Sequence, residues 1–177
     1  MKKVYDSAAA LRHLVIVAMF MAINVAFSSF GIPVPGGHLY LNDIIICTAA
    51  LLFDPLSSFL VGGVGSFLGD LFFYPTPMFV TLVVRGVQAI VVSAISRYAF
   101  QSDKRIANGI ALGVGAFINV VGYSFGRALF YATPASAVMK LPYQLVMALI
   151  GVVIAPLLIY KADVGKLYHK FVNRKTV

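Results

Sequence analysis

A chain of 177 residues that is 60 per cent hydrophobic and 11 per cent charged is too apolar for a soluble domain, where about a quarter of residues are charged. Its mean hydropathy of +0.92 and its length point to a single membrane domain over 1–177. The net charge of +8 is accounted for by membrane topology, as set out below, and gives no reason to invoke a nucleic-acid partner.

In chain order, a basic cytoplasmic tail at 1–10 leads into an apolar run at 11–30. A cleavable signal would begin the same way, but the run is long, no small-residue cleavage site ends it, and further spans follow, so it is kept as a helix. The loop "GIPVPGGHLY" at 31–40 holds two prolines and three glycines and cannot be helical throughout. The apolar run at 39–53 is short, about 22 Å as a helix against about 30 Å of hydrocarbon. Runs at 56–74, 78–98, 106–131 and 140–160 follow, separated by a tight turn at 75–77, a basic segment, and a loop at 132–139. A second tail occupies 163–177. These runs are apolar on every side and lack the alternation of a membrane barrel strand, so the fold class is all-α, with six transmembrane helices of which the second is truncated.

Basic residues set the orientation. With the N-terminus inside, inner segments hold Lys2, Lys3, Arg12, Arg97, Lys104, Arg105, Lys161, Lys166, Lys170, Arg174 and Lys175, leaving only Arg85, Arg127 and Lys140 elsewhere. That bias places both termini in the cytoplasm. Irregular backbone at membrane depth is tolerated only where protein or a wet cavity lines it, so the first loop and the short second helix imply an opening on the outer face.

Polar residues gather at the same level. Asp70 lies about 6 Å below the outer end of the third helix and Arg85 about 10 Å down the fourth, which makes an Asp70–Arg85 pair the simplest expectation. Gln88 is one turn beyond Arg85. Asn119, Tyr123 and Arg127 recur every four residues and form one stripe on the fifth helix. Asn42 and Asp43 open the second helix, and Tyr143 and Gln144 stand near the outer end of the sixth. Charge at this depth costs roughly 2.5–3.5 kcal/mol, so each group should face a partner or a cavity. Phe72, Phe73, Tyr74, Phe79, Tyr123, Phe130, Tyr131 and Tyr143 lie at the same level, where an interfacial aromatic belt is also expected.

The inventory is poor in catalytic chemistry. There is no Glu, the histidines His13, His38 and His169 are scattered, and Cys47 is alone and fits the core, so neither a metal centre nor a catalytic triad is expected. No cofactor is implied. The glycines of "GGVGSFLGD" lack the Lys-Ser/Thr of a phosphate loop and read as close helix packing, with Gly65 and Gly69 as a small-xxx-small pair. In "AMFMAINVA", Ala18, Ala22 and Ala26 make a flat strip that either packs inside or docks another membrane chain. Without a nucleotide motif, any uphill transport needs energy from another chain.

The stretch "GHLYLNDIIICTAALLFDPLSSFLVGGVGSFLGDLFFYPTPMFVTLVVRGVQAIV" resembles the substrate-binding S components of energy-coupling factor (ECF) vitamin transporters, in the branch assigned to hydroxymethylpyrimidine and pyridoxine. "LPYQLVMALIGVVIA" agrees more weakly. In that branch a lysine is frequent where Arg85 stands and a glutamate where Gln88 stands. The resemblance implies a multi-pass subunit of a bacterial plasma membrane that captures a small vitamin from outside and works with a membrane T component and two cytoplasmic ATPases. It also implies that Ala18, Ala22 and Ala26 dock on the T component. Asn42, Asp43, Asp70, Tyr74, Arg85, Gln88, Asn119, Tyr123, Arg127, Tyr143 and Gln144 are the candidate substrate-binding residues. The two arginines also suit a carboxylate vitamin such as pantothenate or nicotinate. A self-contained facilitator would need polar groups reaching the inner side, and an intramembrane enzyme would need a reactive constellation.

Overall fold

A computed structural model describes residues 2–34, 37–99 and 103–172. Its helices are α1 (Lys2–Ser28), α2 (Asn42–Leu52), α3 (Pro55–Phe73), α4 (Met78–Tyr98), α5 (Lys104–Gly126), α6 (Pro134–Tyr160) and α7 (Val164–Val172). Five of them, α1, α3, α4, α5 and α6, are long and apolar enough to cross a membrane, and α2 is a shorter apolar helix. Inside hydrocarbon a helix satisfies its backbone polar groups within one segment, which is why such runs fold this way. The expected tails carry helix as well: residues 2–10 are the first turns of α1, and α7 occupies most of the second. Arg174 and Lys175 lie outside the described residues.

One expectation needs correction. The loop at 132–139 shrinks to Ala132 and Thr133, because Thr133 caps α6: it accepts from the Ser136 N–H while the Ser136 hydroxyl accepts from the Thr133 N–H, and Pro134 takes the first helical position. That capping chemistry starts the helix six residues before the basic Lys140. The loop at 31–40 contains a two-stranded antiparallel hairpin, β1 (Ile32–Val34) and β2 (Gly37–Leu39), with Ile32 opposite Leu39.

Contacts run from α1 to α3, α4, α5 and α6 in turn, and α2 fills the space between α1, α3, α4 and α6. Ile46, Cys47, Ala49 and Ala50 of α2 are all buried, with Cys47 in the apolar core as expected. Arg97 of α4 donates to the Leu52 and Phe53 carbonyls, satisfying acceptors that the end of α2 leaves open. Asp54 then caps α3 by accepting from the Ser57 N–H at 3.1 Å, with Pro55 in the first turn, so the chain reverses at one residue. At the same end His13 of α1 bridges the Ser57 hydroxyl (2.9 Å) and the Tyr168 hydroxyl (2.8 Å), tying α7 to the bundle.

The glycines of α3 pack as the sequence implies. Leu60–Val64 forms a widened turn in which Gly62 meets Ala89 and Gly63 meets Gly86 of α4. On the other side Gly65 faces Met21 and Asn24 of α1, and buried Asn24 donates to the Val61 carbonyl and to Ser66. A methyl group at Gly69 would overlap Ser28 of α1, whose hydroxyl accepts from Asn42 at 2.7 Å. Gly69→Ala is therefore expected to destabilise the protein by about 1–3 kcal/mol, the usual cost of overpacking. Thermal unfolding in detergent measures it, and an unchanged midpoint would show that α1 gives way freely.

Candidate functional site

The hairpin end of the bundle contains a cavity of about 70 Å³. Its floor is a buried network centred on Asp43, in the first turn of α2. Asp43 accepts from Arg85 of α4, from Gln88 Nε2 at 3.3 Å and from Asn119 Nδ2 of α5 at 2.7 Å. Gln144 of α6 in turn donates to the Asn119 carbonyl at 3.0 Å, so three helices meet at one carboxylate and a fourth joins through Asn119. Gly151 makes this possible for α6: a Cβ there would come within 2.9 Å of the Asp43 Cβ.

A second chain of contacts forms one wall. Thr81 donates to Asp70, and Tyr123 donates to Thr81 at 2.9 Å. The Arg85 guanidinium lies over the Tyr123 ring, 5.3 Å from its centroid, which links wall to floor. Arg127 and Lys140 supply two further cations to the lining.

The roof comes from the hairpin. His38 stands between Tyr40 and Tyr74, with ring centroids 6.4 and 5.4 Å away. Its Nδ1 is buried without a hydrogen-bond partner among the described residues. Burial first, then the neighbouring Asp70 and Tyr74, push the Tyr40 phenol up to about 12, so it stays neutral at physiological pH.

The sequence-selected residues divide clearly. Asp43, Asp70, Tyr74, Arg85 and Asn119 line the cavity, as do Tyr123, Arg127 and Gln144. Gln88 is buried beneath it and reaches it only through Asp43 and Arg85. Asn42 points to α1, donating to Ser28. Tyr143 is exposed outside the cavity. The expected Asp70–Arg85 pair is not the one formed: Arg85 bonds Asp43, and Asp70 bonds Thr81. Distance along two neighbouring helices fixes depth but not direction around the axis, and Asp43 approaches Arg85 from the centre of the bundle.

Sequence reasoning passed over His38, Tyr40, Thr81 and Lys140 as lining residues. A signal existed for two of them. Thr81, Arg85 and Gln88 share one face of α4 by spacing, and Lys140, Gln144, Met147 and Gly151 share one face of α6. Nothing in the spacing announced that the hairpin would fold over the cavity. Among the aromatics, Phe72, Phe73, Phe79 and Phe130 are exposed on the outside, as an interfacial belt requires, while Tyr74 and Tyr123 face the cavity. The side chain of Tyr131 lies outside the described residues.

On the outside of α1, Ala18, Ala22 and Ala26 are all exposed, whereas Val17, Asn24 and Ser28 turn inward. The strip does not pack inside this chain.

Residues 9–163 match the family model described as ECF-type riboflavin transporter, S component. A Pyrococcus woesei protein named "Uncharacterized protein in gap 3'region" is 35 per cent identical over 135 residues, which cover 75 per cent of this chain and 88 per cent of that protein. A UPF0397 protein of Streptococcus gordonii is 27 per cent identical over 147 residues, covering 78 per cent of this chain and 79 per cent of the relative.

Proposed function

The chain belongs to the ECF-type riboflavin transporter S-component family, and from that membership we propose that its cavity captures a small, water-soluble, nitrogen-ring vitamin. Members of this family are the substrate-binding, generally non-catalytic subunits of ECF vitamin transporters and work with a T component and ATPases. This chain is accordingly a multi-pass membrane protein. The finer reading places the hairpin end outside and both termini in the cytoplasm of a plasma membrane. Two ATPases acting through the T component then turn the loaded site inward.

The observation that carries this reading is the cavity itself, where groups from α2, α3, α4, α5 and α6 converge under an aromatic roof. Small-ligand sites have this make-up, with apolar and aromatic walls and a few placed polar groups. His38, Tyr40 and Tyr74 offer faces for a flat ring, and Asp70, Asn119 and Gln144 offer acceptors and donors for ring nitrogens and hydroxymethyl groups. Size favours one ring. An apolar cavity of about 150 Å³ accepts benzene, so about 70 Å³ requires some yielding of the hairpin even for a pyridine. A fused three-ring flavin requires far more. Pyridoxine or hydroxymethylpyrimidine is therefore preferred to riboflavin, and a carboxylate vitamin such as nicotinate or pantothenate is the second reading, favoured by the Arg127 and Lys140 pair.

The test is calorimetry on purified protein with pyridoxine, hydroxymethylpyrimidine, nicotinate, pantothenate and riboflavin, together with mass spectrometry of whatever copurifies. Asp70→Asn is expected to weaken binding about tenfold or more while the protein stays folded. Asp70 suits this test better than Arg85, whose pairing with Asp43 makes it part of the fold. Unaltered affinity in Asp70→Asn, or binding of none of these compounds, would overturn the assignment of the cavity.

A further inference from the structure

Beyond Tyr160 the chain turns back instead of leaving the bundle. Asp163 takes a left-handed backbone (φ 52°), and the nine residues of α7 fold over the end opposite the hairpin, where Val164 and Tyr168 pack against the core cluster that holds Val17 and Phe53. The Tyr168 hydroxyl is bound to His13 of α1 at 2.8 Å and its ring stands edge-on to Phe53 at 5.6 Å, which fixes the rotation of α7 about its own axis. At 3.6 residues per turn, Leu167 and Phe171 then form the neighbouring stripe, and Lys166 and Lys170 the one beyond it. Leu167 is 68 per cent exposed and Phe171 47 per cent, so the bundle covers only part of the apolar face of α7.

This helix lies at the hydrocarbon boundary. The apolar run of α6 ends in Tyr160 and Lys161, an aromatic followed by a cation, as at a membrane interface. Arg105 of α5 lies over the Tyr160 ring, 5.8 Å from its centroid, and His13 reaches Asp54 at 3.4 Å, so polar groups mark the same level. From 161 to 175 the chain carries five cations, Lys161, Lys166, Lys170, Arg174 and Lys175, against one carboxylate. That carboxylate, Asp163, pairs with Lys166 at 2.9 Å in an exposed contact, which neutralises little of the cluster.

A bilayer offers acyl chains and then phosphate headgroups, the order in which α7 presents Leu167 with Phe171 and Lys166 with Lys170. A second copy of this chain meeting the same face would bring the same cations and repel. We propose that α7 is an interfacial anchor: Leu167 and Phe171 seat among the acyl chains while Lys166 and Lys170 bind the headgroups of anionic phospholipids. Basic amphipathic helices bind membranes by this combination, and basic clusters just beyond a spanning helix attract anionic lipid. The anchor leaves the cavity untouched and holds α1 through His13, on the helix that carries Ala18 and Ala22.

The test uses the full chain in vesicles of equal parts phosphatidylcholine and phosphatidylglycerol. A spin label on Leu167→Cys, in a Cys47→Ala background, is expected to collide more with oxygen than with a water-soluble nickel chelate, and a label on Lys170→Cys to do the reverse. Phe171→Cys replaces Leu167→Cys if that variant does not fold. Free access of the chelate at 167 would put α7 in water, and shielding from both reagents would put it beneath a protein neighbour; either result overturns the anchor. Hydrogen exchange of the α7 amides in the unlabelled chain reads the headgroup contact. Replacing Lys166 or Lys170 by Gln is expected to speed exchange about fivefold for each lysine, the equivalent of about 1 kcal/mol per cation at an anionic surface. Vesicles of phosphatidylcholine alone should speed it in the wild type and abolish the effect of the Gln variants. Exchange that is indifferent to phosphatidylglycerol and to both lysines would sink the anionic-lipid assignment.

Discussion

Replacing Asp43 by alanine is expected to destabilise the protein by about 3–5 kcal/mol, the cost of stranding a buried charge. The strandee is Arg85, 8 per cent exposed and bonded to Asp43, with Gln88 as a further hydrogen-bond acceptor at 3.2 Å. Asn119 and Gln88 would lose an acceptor at the same time. Because α2, α4 and α5 meet directly at this carboxylate, and α6 joins through Gln144, the damage should reach the whole hairpin end of the bundle. The double variant Asp43→Ala/Arg85→Met removes both partners and should recover much of the loss, since two absent charges cost less than one left alone. Labelling of buried Cys47 by a thiol-reactive dye during heating provides the readout. An Asp43→Ala protein with the wild-type midpoint would show that Arg85 reaches water or another acceptor, and the network would lose its central role.

The Asp43 hub also marks the limit of what the sequence made legible. The number of long apolar helices, the shortness of α2 and the Asn119–Tyr123–Arg127 stripe follow from run length and from i, i+4 spacing, and all three are found as expected. Pairing across helices does not follow. Asp70 and Arg85 share depth, yet each bonds a residue on an element that spacing along its own helix cannot point to. Gln88 and Asn42 show the same limit: both are buried polar groups near the cavity, but one supports its floor and the other fastens α2 to α1. The start of α6 was readable in principle from Thr133-Pro134 followed by Ser136; hydrophobic run length alone began it at Lys140 and so missed that Lys140 projects from an established helix. The hairpin roof depends on strand pairing across residues 31–40, whose prolines and glycines announce a non-helical segment without specifying its register.

Leucine substitutions at Ala18 and Ala22 are expected to abolish uptake while leaving vitamin affinity within about twofold of wild type, because they alter a surface and not the cavity. Only 11 per cent of the α1 span is buried in this chain, against 50 and 44 per cent for α3 and α4. Its inward face is committed: Met21, Asn24 and Ser28 meet Gly65 and Gly69, and Val17 joins the core beside Phe53. Ala18, Ala22 and Ala26 lie on the other side, next to exposed Val15, Met19 and Ile23. A face meant only for lipid gains nothing from small side chains at four-residue intervals, whereas a partner helix approaches closely only where they recur. Branched side chains at 18 and 22 would hold such a helix away without touching α3, so binding in detergent and transport in cells should separate. Uptake that survives both substitutions would remove the strip from the transport mechanism. Loss of uptake together with loss of binding would instead place Ala18 and Ala22 among the residues that hold the bundle together.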